Sequence, residues 1–358
     1  MLKSQSKKTE KVALIEVNGS HDECLLLQIN ALKQANIYVI LICTQVIIDR
    51  NSAFEALVDE FIIVDVTQKH KQVVHTISAF LKQNKIDVAI FNTAQGAKVR
   101  DIALKLLFSK LKLVGIIHTT RKFEGSTTQK IINLKIKKYF LLSEFLFKKV
   151  KSPRGISIDY FYPNRFPKFD TIRRKNETLT IAIIGGVERR RKDLDGFITM
   201  VEATKNEAIR FVFLGKSDPS CSEVQVLKAA LEQTGLTNRV ELYDSFVSQE
   251  EFDKKLQQSD ALLPLVHPGT PSADQYFKNQ VSGAVNVAFG YSIPLLIHAA
   301  YQNVDELQKR ALFYDLENFV EVISSCKPQL VSIEEWMKND DEMTHEVQEG
   351  RYLNFLNS

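Results

Sequence analysis

The sequence predicts an α/β protein of two doubly wound domains, each a parallel sheet with helices on both faces, followed by a C-terminal helical segment. Three observations predict it. Short apolar runs rich in β-branched residues alternate with stretches of helical periodicity along most of the chain, the pattern of a parallel sheet buried on both faces. The alternation stops between residues 152 and 178, where three of the nine prolines gather among charged residues, and then restarts. The 358 residues also exceed the roughly 250–300 that one hydrophobic core organises.

In the first half, residues 11–17 (KVALIEV) read as a buried strand closed by the turn Asn18-Gly19-Ser20. Residues 21–36 carry Leu25, Leu26, Ile29 and Leu32 at helical spacing. Strands are expected at 37–43, 61–66, 86–92, 114–118 and 139–143. Between them fall a helix bearing Val73, Val74, Ile77 and Leu81, and another running from the loop Thr93–Gly96 to about Leu111. The stretch 152–178 reads as an interdomain linker. Beyond it, strands are expected at 179–184, 209–214, 239–243 and 261–266, with 293–298 the last clear one. Helices are expected around Phe197, Met200 and Val201, and at 224–234, 249–259 and 282–289. The tail from 333 to 356, with Trp336, Tyr352, Phe355 and Leu356, is expected to form helices that dock back. The expected domains are 1–165, 166–335 and a terminal helix at 336–358.

Composition narrows the function classes. With 44% hydrophobic and 25% charged residues, disordered and collagen-like chains are excluded. Cys24, Cys43, Cys221 and Cys326 lie far apart with no CxxC, so a reducing compartment is expected. Residues 1–11 are polar and basic and lack the apolar core of a signal peptide. The most apolar run, residues 37–48, is shorter than the ~20 residues a bilayer span needs. A soluble protein, or one lying on a membrane surface, is expected. Net charge is +4, yet residues 121–154 hold ten Lys/Arg against two acids and residues 305–358 twelve acids against five bases. That asymmetry fits either a basic patch facing an anion or a solvated helix face.

In such folds ligands bind beyond the carboxyl ends of the strands, where the connections reverse, and two such edges facing each other make a cleft. At the first turn of the second half, Gly185-Gly186-Val187-Glu188 leads into Arg189, Arg190, Arg191 and Lys192, and a helix starts near Asp193. Glycines let backbone N–H groups approach a phosphate, a helix N-terminus favours an anion, and arginine forks add charge-assisted bonds. The segment is neither GxGxxG nor a P-loop. Farther on, Asp274 to Ala284 opens another helix. There Ser282 and Gly283 offer hydroxyl and amide donors to a diphosphate, and Lys278 offers charge.

These marks, with others in the same order, resemble the GT-B glycosyltransferases of the "group 1" nucleotide-sugar type. Leu142-Ser143-Glu144 is similar to the family's VSE segment, and Gly155 to Pro163 (GISIDYFYP) to its linker motif. Gly185 to Lys192 resembles the phosphate turn, and Phe213-Leu214-Gly215-Lys216 the IxGxG strand end. Arg239-Val240 through Phe246-Val247-Ser248 resembles RVxFxGxV, whose backbone holds the nucleotide base. Ser259-Asp260-Ala261 to Pro264 resembles ADxxxxP, and Ser282-Gly283 to Pro294 the last donor-binding helix. The E-x7-E pair, expected around Phe277 to Asn286, is absent, and Asn286 or Gln280 is the candidate to replace its ribose-binding glutamate by hydrogen bonding. The arginine that directly follows the phosphate-turn glycine is also missing, and Arg190 and Arg191 are its candidates for replacement.

The resemblance implies a GT-B fold of two Rossmann-like domains. It implies a glycosyltransferase of hexosyltransferase type, with a nucleotide-sugar donor, UDP-sugar by expectation, and a carbohydrate or lipid-linked acceptor. His118, Arg191 and Lys192 are the expected catalytic residues. Gly185, Gly186, Arg189, Arg190, Gly215, Lys216, Val247, Ser248, Tyr276, Lys278, Ser282, Gly283 and Asn286 are expected on the donor. In the family a histidine at a strand end such as His118 reaches the donor sugar or the acceptor. Gly19 and Ser20 of the first turn, Thr93 and Gln95 of the loop after residue 92, and Thr119 are expected on the acceptor side. No further cofactor and no metal are expected: there is no HExxH or Cys/His cluster, and His70 and His75 are five apart. There is no GxSxG either. The Asn18 and Asn176 sequons are read as chance matches. Between Lys130 and Lys151, lysines interleave with Ile131, Ile132, Leu134, Ile136 and Tyr139, which fits an anionic membrane surface or a solvated scaffold helix. A cytoplasmic protein, peripheral on the inner membrane face and without nucleic-acid partners, is expected. The alternatives are a nucleotide-sugar epimerase on the same fold and a non-catalytic binding protein of that fold.

Overall fold

A computed structural model describes residues 9–167, 177–276 and 278–358. The first eight residues, the middle of the proline-rich break (168–176, with Asn176) and Phe277 lie outside the described residues. The described residues up to Asn164, together with His345–Ser358, form one compact unit, and Arg165–Thr344 forms a second.

The first unit is built on seven parallel strands: β1 (Lys11–Glu16), β2 (Tyr38–Cys43), β3 (Glu60–Ile63), β4 (Val88–Phe91), β5 (Lys112–Ile116), β6 (Lys138–Leu141) and β7 (Ser157–Tyr160). Their order is β3-β2-β1-β4-β5-β6-β7. The direction of connection reverses between β1 and β4, which pair from Val12↔Val88 to Ile15↔Phe91. The central strands are buried along nearly their whole length, as their unbroken apolar runs require. The terminal helix His345–Asn357 packs on the helix Leu25–Gln34 and on β7. Its anchor is aromatic. Phe140 on β6 stacks on Tyr352 at 4.8 Å and meets Phe355 and Phe161 edge-on at 4.9 and 5.3 Å. The Tyr162 amide donates to Gln348 Oε1 at 2.9 Å.

The second unit has six parallel strands: β8 (Leu179–Ile184), β9 (Ile209–Lys216), β10 (Val240–Tyr243), β11 (Ala261–Leu262), β12 (Leu295–His298) and β13 (Ala311–Tyr314). They are ordered β10-β9-β8-β11-β12-β13, so the reversal falls between β8 and β11. Phe197 meets Phe211 and Phe213 edge-on at 5.2 Å each in the core.

Several expectations need correction. The stretch 152–178 is not wholly a linker, because Ser157–Tyr160 pairs with β6 as the seventh strand. Its alternation is half-buried and polar because it lies at the sheet's edge. The helix expected to reach Leu111 ends at Lys105. The expected strand 261–266 pairs only over Ala261–Leu262, and Leu265 adopts a left-handed φ of 55°. Residues 293–298 do not hold the last strand, since Ala311–Tyr314 pairs beyond β12. Residues 336–344 stay with the second unit, where Arg310 pairs with Asp340, and only the helix from His345 joins the first. No helix among the described residues is long and apolar enough to cross a membrane.

If the aromatic anchor holds the terminal helix, Phe140→Ala destabilises the first unit by about 3–5 kcal/mol, the usual cost of emptying a buried phenylalanine site. Urea unfolding with and without residues 345–358 measures it. A loss below about 1 kcal/mol in the full chain contradicts the packing account.

Candidate functional site

In each unit some of the polar residues singled out by sequence follow strands that flank the reversal, where ligands of such folds bind. In the second unit β8 and β9 end side by side. A Cβ on Gly186 would fall 1.8 Å from the Lys216 carbonyl oxygen, and one on Gly215 would fall 2.4–2.5 Å from the Gly185 backbone. Main chain therefore meets main chain, and only glycine fits. Gly185 also holds φ +82°, a conformation glycine adopts without cost.

The cations after this turn take different roles. Lys192 folds back beneath it, buried, and its Nζ donates to the Gly186 carbonyl at 3.0 Å. Burial pulls its pKa down to about 8, against the attraction of Glu188. Arg189 is held by both oxygens of Asp195. Arg190 and Arg191 share Glu188, at 3.1 and 3.3 Å, and keep 63% and 54% of their side chains exposed. Asp193 caps the following helix, Leu194–Ala203, accepting from the Gly196 amide at 2.9 Å.

The loop expected on the donor side is tied to the same turn. Ser272 donates to the Arg190 carbonyl through its amide (3.1 Å) and hydroxyl (2.6 Å). Tyr276 is buried close enough to Arg190 and Arg191 to feel their charge, although burial still raises its pKa. The helix Gly283–Gly290 packs against β8. Ser282 is its N-cap and makes no side-chain cap bond, and the space at the Gly283 Cβ position is open. Two buried oxygens in this unit, Asn286 Oδ1 and Ser217 Oγ, find no hydrogen-bond partner among the described residues. Such atoms cost free energy until a partner satisfies them. Ser217 directly follows Lys216, and its amide donates to the Tyr243 carbonyl at 2.7 Å.

Other expected donor residues are engaged elsewhere. Lys216 pairs with Asp218 at 2.9 Å, and Lys278 with Asp274 at 3.0 Å on the surface. Ser248 caps the helix Gln249–Gln257, accepting from the Glu251 amide at 3.2 Å. Val247 beside it is buried.

In the first unit the reversal between β1 and β4 is filled by a carboxyl group that sequence reasoning missed. Glu16, buried at the end of β1, accepts from the Asn18 amide at 2.7 Å, from Asn92 Nδ2 at 3.1 Å and from the Thr93 hydroxyl. Burial raises its pKa against those donors. The Asn92 carbonyl accepts from His118 Nε2 at 2.7 Å. A carbonyl can only accept, so Nε2 carries the proton and Nδ1 presents its lone pair. His118 lies two residues beyond the end of β5 and stacks under His21, with ring centroids 3.7 Å apart. Burial and the neighbouring His21 hold its pKa near about 4, so it is neutral at pH 7. Gly19 has φ +67°, and a Cβ there would lie 3.8 Å from Thr44 Oγ1. That oxygen and Gln95 Oε1 are both buried and unpartnered among the described residues. Ser20 is exposed and Thr119 half-buried. The only advance signal for Glu16 was one acid closing an apolar strand.

No family model matches the chain, and no curated relative matches it. Solved structures do. A glycosyltransferase from Rickettsia africae ESF-5 superposes with a TM-score of 0.71 at 11% identity, covering 97% of this chain and 98% of its own. A protein assigned as a UDP-N-acetylglucosamine 2-epimerase from Listeria monocytogenes gives 0.66 at 12%, covering 98% and 96%. Sucrose-phosphate synthase from Thermosynechococcus elongatus gives 0.65 at 13%, covering 97% and 99%. At such identities the likeness defines the fold: two parallel-sheet α/β domains of GT-B type, as the sequence resemblance implied.

The buried Lys192 carries a pH signature. Its proton leaves at about 8 in the folded protein and near 10.5 in the unfolded chain. Between those values the unfolded state binds more protons, so this group makes the protein more stable as pH rises from 8 to 10.5. Relative to Lys192→Met, the wild-type chain gains up to about 3 kcal/mol across that window. Urea midpoints of both proteins at pH 8 and pH 10 measure it. A difference that stays constant contradicts the burial.

Proposed function

We propose that this protein is a glycosyltransferase, hexosyltransferase in type, that moves a sugar from a nucleotide-diphosphate donor to a carbohydrate or lipid-linked acceptor. The observation that carries this reading is the glycine turn of the second unit, with the half-exposed Arg190 and Arg191 beside it and unsatisfied buried oxygens in the same unit. Turn amides and guanidinium groups stabilise a departing diphosphate, where negative charge develops in the transition state. Ser282 and Gly283 add donors at the start of a second helix. Asn286 Oδ1 accepts from a hydroxyl of the sugar nucleotide, in place of the missing glutamate. UDP-sugar is the expected donor.

On the acceptor side, His118 offers a neutral ring with a fixed tautomer, and its Nδ1 accepts a hydrogen bond from a sugar hydroxyl. Gly19, Ser20, Thr93, Gln95 and Thr119 are the residues proposed to meet the acceptor. Protein cations carry the leaving-group charge in this scheme without a metal.

The proposed setting is cell-surface polysaccharide or glycolipid synthesis, at the cytoplasmic face of a membrane. Residues 102–112 and 125–138 contain no acid. Phe108 stands 97% exposed beside Ser109, whose carbonyl accepts from Lys135 at 2.7 Å. An exposed phenylalanine in an acid-free stretch, with Lys135 bonded to the next residue, suits an anionic lipid surface. Salt-sensitive flotation with anionic liposomes is expected, and its absence removes this part of the reading.

A second reading, nucleotide-sugar epimerisation, is favoured by the likeness to the Listeria protein. One set of assays separates the two. Near 100 Kd, a bound donor adds about 2.7 kcal/mol of stability, so a thermal-shift screen of UDP-, GDP-, ADP- and TDP-sugars identifies the nucleotide. Arg191→Ala combined with Lys192→Ala is expected to abolish the shift. Nucleotide released only with acceptor supports transfer, whereas sugar interconversion without acceptor supports the epimerase. No shift with any donor contradicts both.

A further inference from the structure

Next to the cationic turn lies a chain of polar side chains, two of them buried, that the reading above leaves unused. His267, five residues after β11, is 1% exposed. Its Nδ1 lies 2.8 Å from Asp193 Oδ2, and its Nε2 lies 2.6 Å from the hydroxyl of Tyr314, which is buried at the end of β13. Asp193 has an accepting carboxylate, so Nδ1 carries the proton. In the neutral ring Nε2 presents a lone pair, and the tyrosine donates. The chain therefore runs one way, from the Tyr314 hydroxyl to His267 Nε2 and from His267 Nδ1–H to Asp193.

Asp193 directly follows Lys192 and is the N-cap of the helix Leu194–Ala203. Its Oδ1 takes the Gly196 amide, and its own amide donates to the Leu265 carbonyl at 2.9 Å. Two costly features are retained at the same place. Leu265, a fully buried non-glycine residue, sits at φ 55°. Gly196 lies inside a helix, where a Cβ would fall 2.2 Å from Asp193 Oδ2 and 3.1 Å from His267 Nδ1. Left-handed backbone at a non-glycine side chain and glycine within a helix are each unfavourable on their own. Thr270 closes the loop, its hydroxyl accepting from the His267 amide at 3.1 Å.

We propose that Asp193, His267 and Tyr314 are positioning residues of the diphosphate site. Through Asp193 they fix the start of the helix and the run Arg189–Lys192 that precedes it, so anion affinity depends on a hydrogen-bond chain anchored on β13. This rests on the reading that the glycine turn binds a diphosphate. Arg190 and Arg191 lean only on Glu188 among the described acids, so their placement follows the main chain that Asp193 holds.

Calorimetry on the full chain, with UDP and with inorganic pyrophosphate as probes, tests it alongside separate thermal melts. His267→Ala is expected to weaken both ligands about tenfold or more, the value of one hydrogen bond to a charged group. His267→Asn, whose amide still donates to Asp193, is expected to restore affinity to within about threefold of wild type, a ratio worth under 1 kcal/mol. Tyr314→Phe is expected to fall between them. A purely structural role would lower the melting temperature of all three and leave the affinity of the folded protein unchanged, and that result overturns the proposal. Should His267→Ala fail to fold, wild-type affinity in both Tyr314→Phe and Asp193→Asn overturns it equally. A wild-type protein that binds neither probe overturns the diphosphate reading itself, and this proposal with it.

Discussion

Where β8 and β9 run out, two stretches of main chain touch with no room for a side chain between them. That contact makes residues 186 and 215 glycine, and the left-handed φ of residue 185 makes it glycine too; much else in the second unit follows from it. A turn without side chains lets an oxyanion come close to its main chain, although the Gly185 amide is already held by the Leu214 carbonyl at 2.9 Å. It also leaves a carbonyl, that of Gly186, pointing to where Lys192 can satisfy it from beneath. A buried ammonium is costly unless hydrogen-bonded, so the lysine and the glycine turn hold one another in place. The remaining positive charge is displaced outward onto Arg190 and Arg191, which keep enough exposure to meet a ligand.

The first unit answers the same topological problem differently. Its strand reversal is closed by the buried Glu16 carboxyl, which collects an amide, a side-chain amide and a hydroxyl. Through Asn92 this network reaches the imidazole of His118 and decides which nitrogen holds the proton. Asn92 also accepts from Gln28 at 2.8 Å, and Gln28 accepts from Tyr352 of the terminal helix at 3.2 Å. One end of the chain is thus coupled through hydrogen bonds to the edge where β1 and β4 part. In both units, buried polar groups stand at the reversal because the sheet leaves an uncovered crevice there.

Much of the fold was legible because a parallel sheet demands continuous apolar strands, and β1, β2, β8 and β9 are written that way. The strands that escaped notice lack the signal. Ser157–Tyr160 is an edge strand with polar residues inside a proline-rich stretch, and Ala311–Tyr314 is short and embedded in an acidic tail. Conversely, the run after Ala261 looked like a longer strand because apolarity cannot report that Leu265 turns left-handed. For the site, the cations and glycines were visible as local sequence. Their partners were not: Glu16 meets residues 76 and 77 positions away, and His267 meets residues 74 and 47 positions away. Pairings at that range are made by the fold.

The central claim is that the glycine turn is the seat of a diphosphate, and backbone amide resonances report on it directly. In a titration of the 15N-labelled chain with UDP, the amides of Gly185, Gly186 and Ser217 are expected to shift together and saturate with one dissociation constant. If UDP moves resonances elsewhere while these three stay still at saturation, the account is wrong at its root.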